Sequence, residues 1–471
     1  MVFNSLQFAV FLPIVLVLYW RLARRRQNAL LLVASWIFYA FFDWRFLGLM
    51  LLSTCVDYQV GRVLRRLTDD RVRLRVFLVS LTVNLGILGF FKYFNFFVDS
   101  GVDLLGHLGV SASAPSLRIL LPVGISFYTF HGISYTFDVY RRQIEPARSF
   151  LDFAVFVAYF PQLVAGPIGR AHIQLPQFER DRTRPTLAQV QSALLLIVIG
   201  LFRKIVIADA IAPHVNEVFG DTSHAGWVAL LVGTFGFAIQ IYGDFSGYSA
   251  IARGTSRLLG IELPVNFTQP YLSRDITEFW QRWHISLSTW LRDYLYVPLG
   301  GNRGSRLATY RNLLITMLLG GLWHGAALTF VVWGAIHGAL LAGHRWLRDR
   351  RAALGLAPPA YGPVGTVVRV AATFTVVSFA FVVFRAHGVS DALHVVKGVA
   401  RLRSGPVPTD GMVVVLLAGL AMFASDLLER GYRARAIALR RVPVGLAVGG
   451  MTACMIVFSG GAPVPFIYFQ F

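Results

Sequence analysis

The sequence predicts an all-α, polytopic membrane protein, and three observations support this fold class. Of its 471 residues, 56% are hydrophobic and only 14% are charged, whereas an average soluble domain has roughly 25% charged residues. The mean hydropathy is +0.59. Apolar segments recur along the whole chain, and a helix needs about 20 apolar residues to cross a bilayer. We therefore expect the lipid bilayer to surround this chain.

Apolar segments with few charges are the candidates for helices that cross or enter the membrane. In order they are 6–20, 28–42, 46–64, 76–98, 119–139, 150–165, 189–211, 226–250, 308–323, 326–346, 365–385, 411–428 and 442–459. Several are short or contain Gly and Pro, so we expect about ten to twelve transmembrane or re-entrant helices. No repeat or long polar insertion divides the chain, which predicts a single membrane-embedded domain over residues 1–471.

The positive charge follows the pattern of a membrane protein. The net charge of +20 comes almost wholly from arginine, and the arginines cluster in loops such as 21–26 and 62–75. Basic loops that flank spans stay in the cytoplasm. The segment 6–20 is therefore predicted to be a retained first span with its N-terminus outside. No basic face lies on a soluble element, which argues against nucleic-acid binding.

The stretch 275–296 is predicted to be one amphipathic helix with a buried aromatic face. Asp275 followed by Glu278 resembles a helix-capping pair, and His284 falls at the margin of the face beside Ser288. Two interpretations stay open: a functional histidine next to hydroxyls, or a solvated histidine on an interfacial helix. The large apolar residues at helical spacing are Ile276, Phe279, Trp280, Trp283, Leu287, Trp290, Leu291 and Tyr294.

The uncharged run 313–343 is too long for one span, so it must break. Gly320, Gly321 and Gly325 are the expected places. His324 then lies at or near a break inside the membrane, next to Trp323. An ionisable group at that depth is a candidate functional residue by default. The alternative is a neutral histidine that hydrogen-bonds to a neighbouring helix.

Other polar residues in apolar surroundings have weaker support. Asp57, Asp138 and Asp209 are each expected to pair with an arginine or to orient a histidine, and for most of them we expect a structural role. Asp244 carries more weight, because the sequence from Tyr242 to Tyr248 places many hydrogen-bonding groups in an apolar helix. For His337 and His344 we expect structural or interfacial roles.

Several common catalytic motifs are absent from the sequence. It contains no G-x-S-x-G elbow, no phosphate-binding G-x-x-x-x-G-K-[ST] loop and no H-E-x-x-H pair. No two histidines are three or four residues apart, so no metal site is expected from neighbouring helical ligands. Acid–base chemistry by isolated histidines is what remains.

The sequence resembles the membrane-bound O-acyltransferase family, in particular the bacterial branch that contains alginate O-acetylases and the D-alanyl transferases of teichoic acid. The stretches that carry the resemblance are YLSRDITEFWQRWHISLSTWLRDYLYVPLGG, GGLWHGAALTFVVWGAIHG, LPVGISFYTFHGISYTFDVYR, FPQLVAGPI, GLFRKIVIAD, QIYGDFSGYS and FIYFQF. The resemblance implies helices arranged around a central funnel, in a bacterial cytoplasmic (inner) membrane. It maps the family's nearly invariant histidine onto His324 and its second signature position onto His284.

These matches imply an acyl transfer without a bound cofactor or metal. His324 would act as general base. His284, with Asp244 or nearby hydroxyls, would orient the acceptor or stabilise the oxyanion. Asp244, Ser288 and Trp323 are expected to bind the substrate. The donor would be a cytoplasmic acyl thioester, either acetyl-CoA or an acyl carrier. The acceptor would be an extracytoplasmic polysaccharide or a partner acetyltransferase. Alternatives are a multi-pass transporter, which the lack of internal symmetry disfavours, and a non-catalytic scaffold of a polysaccharide-export complex.

Overall fold

The computed structural model describes residues 1–111, 113, 119–164, 166–357, 360–434, 441–458 and 466–467. Within these ranges every regular element is helical and none is a strand, which confirms the all-α class. The described residues pack into two compact units. The predicted single domain and the predicted number of spans stay predictions. Residues 468–471 of the C-terminal FIYFQF stretch lie outside the described ranges.

The first unit comprises residues Met1–Leu194 and Ala252–Pro264. Its helices are α1 (Leu6–Tyr19), α2 (Arg24–Asp43), α3 (Leu47–Arg66), α4 (Asp70–Leu88), α5 (Phe94–His107), α6 (Ile125–Tyr140), α7 (Phe150–Ala158), α8 (Phe160–Leu163), α9 (Ala171–Glu179) and the first half of α10 (Leu187–Phe202).

The second unit comprises residues Leu195–Ile251 and Val265–Phe471. It holds α11 (Asp209–Gly220), most of α12 (Trp227–Leu258), α13 (Ile276–Arg282), α14 (Ile285–Leu291), α15 (Arg306–His324), α16 (Leu328–Ala353), α17 (Pro363–Arg385), α18 (Val389–Ala400), α19 (Thr409–Ala434) and α20 (Arg441–Phe458). Single π-helical turns at Gly89–Tyr93, Arg203–Ala208 and Arg292–Tyr296 extend their neighbouring helices.

Five described helical stretches are long and apolar enough to cross a membrane. This confirms a polytopic protein, because each stretch meets the length that the hydrocarbon core requires. Two shorter apolar helices, Leu6–Tyr19 and Gly445–Phe458, accompany them. The five stretches are Arg24–Arg66, Asp70–His107, Trp227–Leu258, Pro363–Arg385 and Thr409–Arg430.

The core of the first unit contains a buried carboxylate, Asp57, whose contacts hold neighbouring helices together. Asp57 accepts hydrogen bonds from Ser80 Oγ at 2.6 Å and from Asn84 Nδ2 at 2.8 Å. A Cβ at Gly132 of α6 would overlap the Asp57 carboxylate, so only glycine lets α6 approach this closely. The polar groups thus fix the packing of α3, α4 and α6, since a buried carboxylate without partners would be costly.

Glycines bring α15 and α16 of the second unit into direct backbone contact. A Cβ at Gly321 would overlap the carbonyl oxygen of Phe330, and a Cβ at Gly334 would overlap that of Met317. The two helices run antiparallel, with Gly338 opposite Leu314. Small residues at such crossings allow the close approach that membrane helices use. The hairpin therefore holds the connection at its tip in a defined position.

Candidate active site

The predicted single helix over 275–296 is wrong, because the chain breaks at His284. Helix α13 ends at Arg282, and α14 begins at Ile285. Between them His284 adopts a left-handed conformation with φ 41° and ψ 54°, which costs energy for a residue with a side chain. The predicted cap is present, since the Glu278 backbone N–H donates to Asp275 Oδ1 at 2.9 Å.

The break is held by hydrogen bonds from the segment before α13. The Ile285 backbone N–H donates to the Asn266 carbonyl at 2.9 Å, and Ser286 Oγ donates to Asn266 Oδ1 at 2.6 Å. Asn266 Nδ2 in turn donates to Ser249 Oγ on α12 at 3.0 Å. These buried bonds stabilise the strained backbone and so determine where the imidazole of His284 lies.

The side chain of His284 is fully buried among aromatic rings. Its exposed fraction is 0%, which excludes the solvated histidine of the interfacial interpretation. The ring of Phe245 lies 4.6 Å away and perpendicular to it. Within the described residues, neither imidazole nitrogen has a hydrogen-bond partner. Buried polar atoms are normally paired. Both ring nitrogens of His284 can therefore hydrogen-bond to a bound substrate.

His324 lies at the predicted break. It is the last residue of α15, Gly325 caps the helix, and α16 begins at Leu328. A Cβ at Gly325 would overlap the ring of Phe330, so glycine is required there. Gly320 and Gly321, the other predicted break positions, lie inside α15 instead, where Gly321 forms part of the crossing with α16.

Aromatic rings enclose the imidazole of His324, which is 6% exposed. The centroids of Trp333 and Phe384 lie 5.1 Å and 5.3 Å from it. The indole of Trp323 lies 4.9 Å away. Such a ring cage excludes water from the imidazole and strengthens electrostatic interactions there.

Trp323 joins the two histidines. Its indole contacts His284 at 5.9 Å between centroids and His324 at 4.9 Å. Two residues that are far apart in sequence thus share one aromatic neighbour inside the second unit. The structure brings together three of the predicted site residues: His284, Trp323 and His324.

The other two predicted site residues have different surroundings. Asp244 is 2% exposed, and its Oδ1 lies 3.0 Å from Lys204 Nζ. Its Oδ2 accepts a hydrogen bond from the Ile467 backbone N–H at 2.6 Å. Asp244 borders the site through its neighbour in sequence, Phe245. Ser288 lies one turn after His284, and its hydroxyl donates to the Ile285 carbonyl at 3.2 Å.

Of the remaining aspartates, Asp138 has a histidine partner as expected. Asp209 pairs with a lysine instead of an arginine, and the described partners of Asp57 are hydroxyl and amide groups. Asp209 lies 2.7 Å from Lys204 Nζ, and Asp138 lies 3.3 Å from His172 Nδ1. Lys204 therefore bridges two carboxylates. Its rarity could have drawn attention to Lys204 in the sequence, because the chain contains only three lysines.

Sequence reasoning did not single out Trp333 on α16 and Phe384 on α17, whose rings line His324, and it expected only a structural or interfacial role for His337. The ring of Trp333 contacts His324 and also lies 4.6 Å from His337. His337 is fully buried and accepts a hydrogen bond from Trp280 Nε1 at 3.3 Å. Trp333 and His337 are four residues apart, which places them on one helix face. That spacing was the available signal, whereas nothing local indicated Phe384.

Comparison with known proteins identifies the family. The model of the family MBOAT, membrane-bound O-acyltransferase, matches residues 139–384. The chain is also 44% identical over 397 residues to a protein named "Probable alginate O-acetylase AlgI" from Azotobacter vinelandii, which covers 83% of this chain and 76% of that protein. The chain belongs to the membrane-bound O-acyltransferase family. The resemblance predicted from the motifs is thereby confirmed.

Other members of this O-acyltransferase family show similarity as well. The peptidoglycan O-acetyltransferase of Helicobacter pylori is 34% identical over 462 residues, which is 91% of this chain and 84% of that protein. The teichoic acid D-alanyltransferase of Bacillus subtilis is 26% identical over 290 residues, 57% of this chain and 70% of that protein. The protein is thus a multi-pass membrane O-acyltransferase, and the family match contains both histidines.

Proposed function

We propose that this O-acyltransferase moves an acetyl group from a cytoplasmic thioester to a hydroxyl of an extracytoplasmic polysaccharide or of a partner acetyltransferase. The observation that carries the proposal is the buried pair of histidines around Trp323. The relatives named as alginate and peptidoglycan O-acetylating enzymes support the acetyl group and the polysaccharide. We place the protein in the bacterial inner membrane with its N-terminus outside, because its basic loops would then face the cytoplasm.

His324 serves as general base in this mechanism. Its imidazole takes the proton of the acceptor hydroxyl while the hydroxyl oxygen attacks the thioester carbonyl carbon. The C–S bond then breaks, the thiolate takes the proton from the imidazolium, and an ester is formed. Proton transfer of this kind contributes about 10²- to 10⁴-fold to the rate. The surrounding rings exclude the water that would otherwise hydrolyse the thioester.

His284 serves as the second polar group of the reaction. An imidazole N–H directed at the carbonyl oxygen would stabilise the negative charge that develops there. The other nitrogen would remain for the acceptor, since both lack partners within the described residues. Trp323 sets the separation of the two rings. Asp244 supports His284 only indirectly. It precedes Phe245, whose ring packs against the imidazole of His284.

We further propose that a partner acetyltransferase accepts the group before the polymer does. Within the given sequence, the longest stretch between predicted apolar segments, residues 251–307, is short for a domain that would hold a polymer. The test is reconstitution of the purified protein in lipid nanodiscs with radiolabelled acetyl-CoA and an acyl carrier in parallel. Transfer of label to a partner, with release of the free thiol, is the expected result. Acetylation of the polymer by the purified chain alone would contradict the partner step, and vesicle uptake without transfer would contradict the function.

A further inference from the structure

A second polar site lies within the second unit, where the start of α13 meets the end of α16. It is a cavity of about 780 Å³, within the range of roughly 300–1,000 Å³ that small-molecule sites occupy. No step of the proposed reaction uses it. The residues on its wall that matter here are Arg274, Thr277, His344, Arg348, Arg351 and Arg369.

The carboxylates of this cavity already have partners. Glu278 lies 3.0 Å from Arg274 Nε and 2.5 Å from Arg282. Burial alone would raise the pKa of Glu278, but the Arg274 backbone N–H and the two guanidinium groups lower it below its usual range. Asp275 caps α13, and Asp349 lies 3.7 Å from Arg345. Each of these carboxylates thus has a partner within the protein.

Three arginines of the cavity have no such partner. Across the described ranges, no carboxylate oxygen lies within 4.0 Å of a guanidinium nitrogen of Arg348, Arg351 or Arg369. Arg369 stacks over the ring of Tyr361 at 4.3 Å and donates to its hydroxyl at 2.7 Å. Its Nε is buried and lacks a hydrogen-bond partner in the described part of the chain. An anion is the ligand that such a wall would bind, because guanidinium groups bind phosphate in bidentate geometry.

Side-chain contacts along α13 and α16 link the cavity wall to the site of the two histidines. Thr277 Oγ1 and His344 Nδ1 are 2.8 Å apart, which joins α13 to α16 at the cavity wall. His337 lies two turns earlier on α16, roughly 10 Å away along the helix axis. The ring of His337 contacts Trp333, which contacts His324. A ligand anchored at the arginines would therefore need one extended arm to reach His324.

We propose that this cavity binds the phosphate groups of the acyl thioester donor. This inference rests on the proposed acyl transfer. Arg348 and Arg351 lie at the end of α16, together with Arg345 and Arg350, and Arg369 lies in the second turn of α17. Basic clusters at span ends lie on the cytoplasmic side. That is the side on which a cytoplasmic thioester is available. The phosphates bind at the arginines while the thioester end extends along α13 and α16 towards His324.

The test compares acetyl-CoA with a phosphate-free acetyl thioester, acetylpantetheine, in nanodiscs. For Arg348→Gln and Arg369→Gln we expect a KM for acetyl-CoA about tenfold higher, the size of one lost charged hydrogen bond, with kcat within about twofold. Neither variant should change the KM for acetylpantetheine. Arg401→Gln, an exposed arginine outside the cavity, is the matched control and should change neither constant. Thermal unfolding of each variant confirms that it is folded.

The outcomes separate this inference from the function on which it rests. An unchanged KM for acetyl-CoA, or an equal rise for both donors, would overturn the cavity assignment while leaving acyl transfer intact. An effect confined to nanodiscs of anionic lipid would assign the arginines to a lipid headgroup and would also overturn it. Absence of transfer by the wild type from every thioester would contradict the proposed function. Binding of free CoA, weakened about tenfold in Arg348→Gln, measures the site without catalysis.

Discussion

The imidazole of His284 meets the indole of Trp323 edge to face, with 5.9 Å between their centroids. The same indole lies 4.9 Å from His324. One side chain therefore sets the distance between the two groups to which the mechanism assigns the proton and the oxyanion. Because catalysis depends on such distances to within about 1 Å, Trp323 is a positioning residue.

Replacement of Trp323 by alanine should reduce both transfer and stability. Loss of the indole releases both imidazoles, so we expect kcat to fall by about 100-fold and the free energy of unfolding to fall by about 3–5 kcal/mol. Trp323→Phe keeps an aromatic contact and should retain most of the stability. Acetyl transfer and thermal unfolding in detergent measure the two effects. The exposed Trp346 gives the control, since Trp346→Ala should change stability by less than about 0.5 kcal/mol.

Substitutions of His284 should separate its backbone role from its chemical role. Asparagine tolerates the left-handed conformation of this residue, whereas a β-branched residue does not. His284→Asn should therefore fold but lose about 10²-fold in transfer, the size of one lost oxyanion donor. His284→Val should lose about 1–3 kcal/mol of stability in addition. Equal melting temperatures for the two variants would show that the backbone at this position is not strained.

The crossing of α15 and α16 should not tolerate an added methyl group. In Gly321→Ala the new Cβ would overlap the Phe330 carbonyl oxygen, so the helices must separate and shift the connection that carries His324. We expect a loss of about 1–3 kcal/mol and a clear loss of transfer. Gly343→Ala on α16 is the control, because nothing lies within 4 Å of its Cβ. If both variants unfold alike, the close crossing does not stabilise the second unit.

A buried ion network should contribute strongly to the stability of the second unit. Arg203 is 1% exposed and lies 2.7 Å from Asp426 and 2.9 Å from Glu429 on α19. Arg203→Met leaves two buried carboxylates without their cation, which costs about 3–5 kcal/mol. Chemical denaturation in detergent measures this, with the exposed Arg430→Met as control. A loss below about 1 kcal/mol would mean that the carboxylates find other partners.

Features that depend on local sequence were predictable. The apolar composition predicted an all-α membrane protein, and the length of the uncharged run predicted the break beside His324. Of the three glycines predicted at that break, only Gly325 lies there, and the packing of Phe330 leaves no room for a side chain at this position. The family motifs then indicated both histidines.

The break at His284 could not be predicted from spacing. The large apolar residues keep helical spacing on both sides of His284, so the pattern reads as one helix although the chain turns between α13 and α14. The turn is fixed by Asn266, which lies in a segment outside both helices. Its backbone carbonyl accepts a hydrogen bond from the Ile285 N–H. The pairing of Asp244 with Lys204 likewise depends on tertiary packing, since the two residues lie on different helices.

Transfer by variants of His324 tests the central claim most directly. The measurement is the initial rate of acetyl transfer from radiolabelled acetyl-CoA by reconstituted His324→Ala and His324→Gln, each shown to be folded by thermal unfolding. The mechanism predicts a rate that is lower by about 10²- to 10⁴-fold in both variants, with little change in donor binding. Wild-type rates in both folded variants would contradict general-base catalysis by His324.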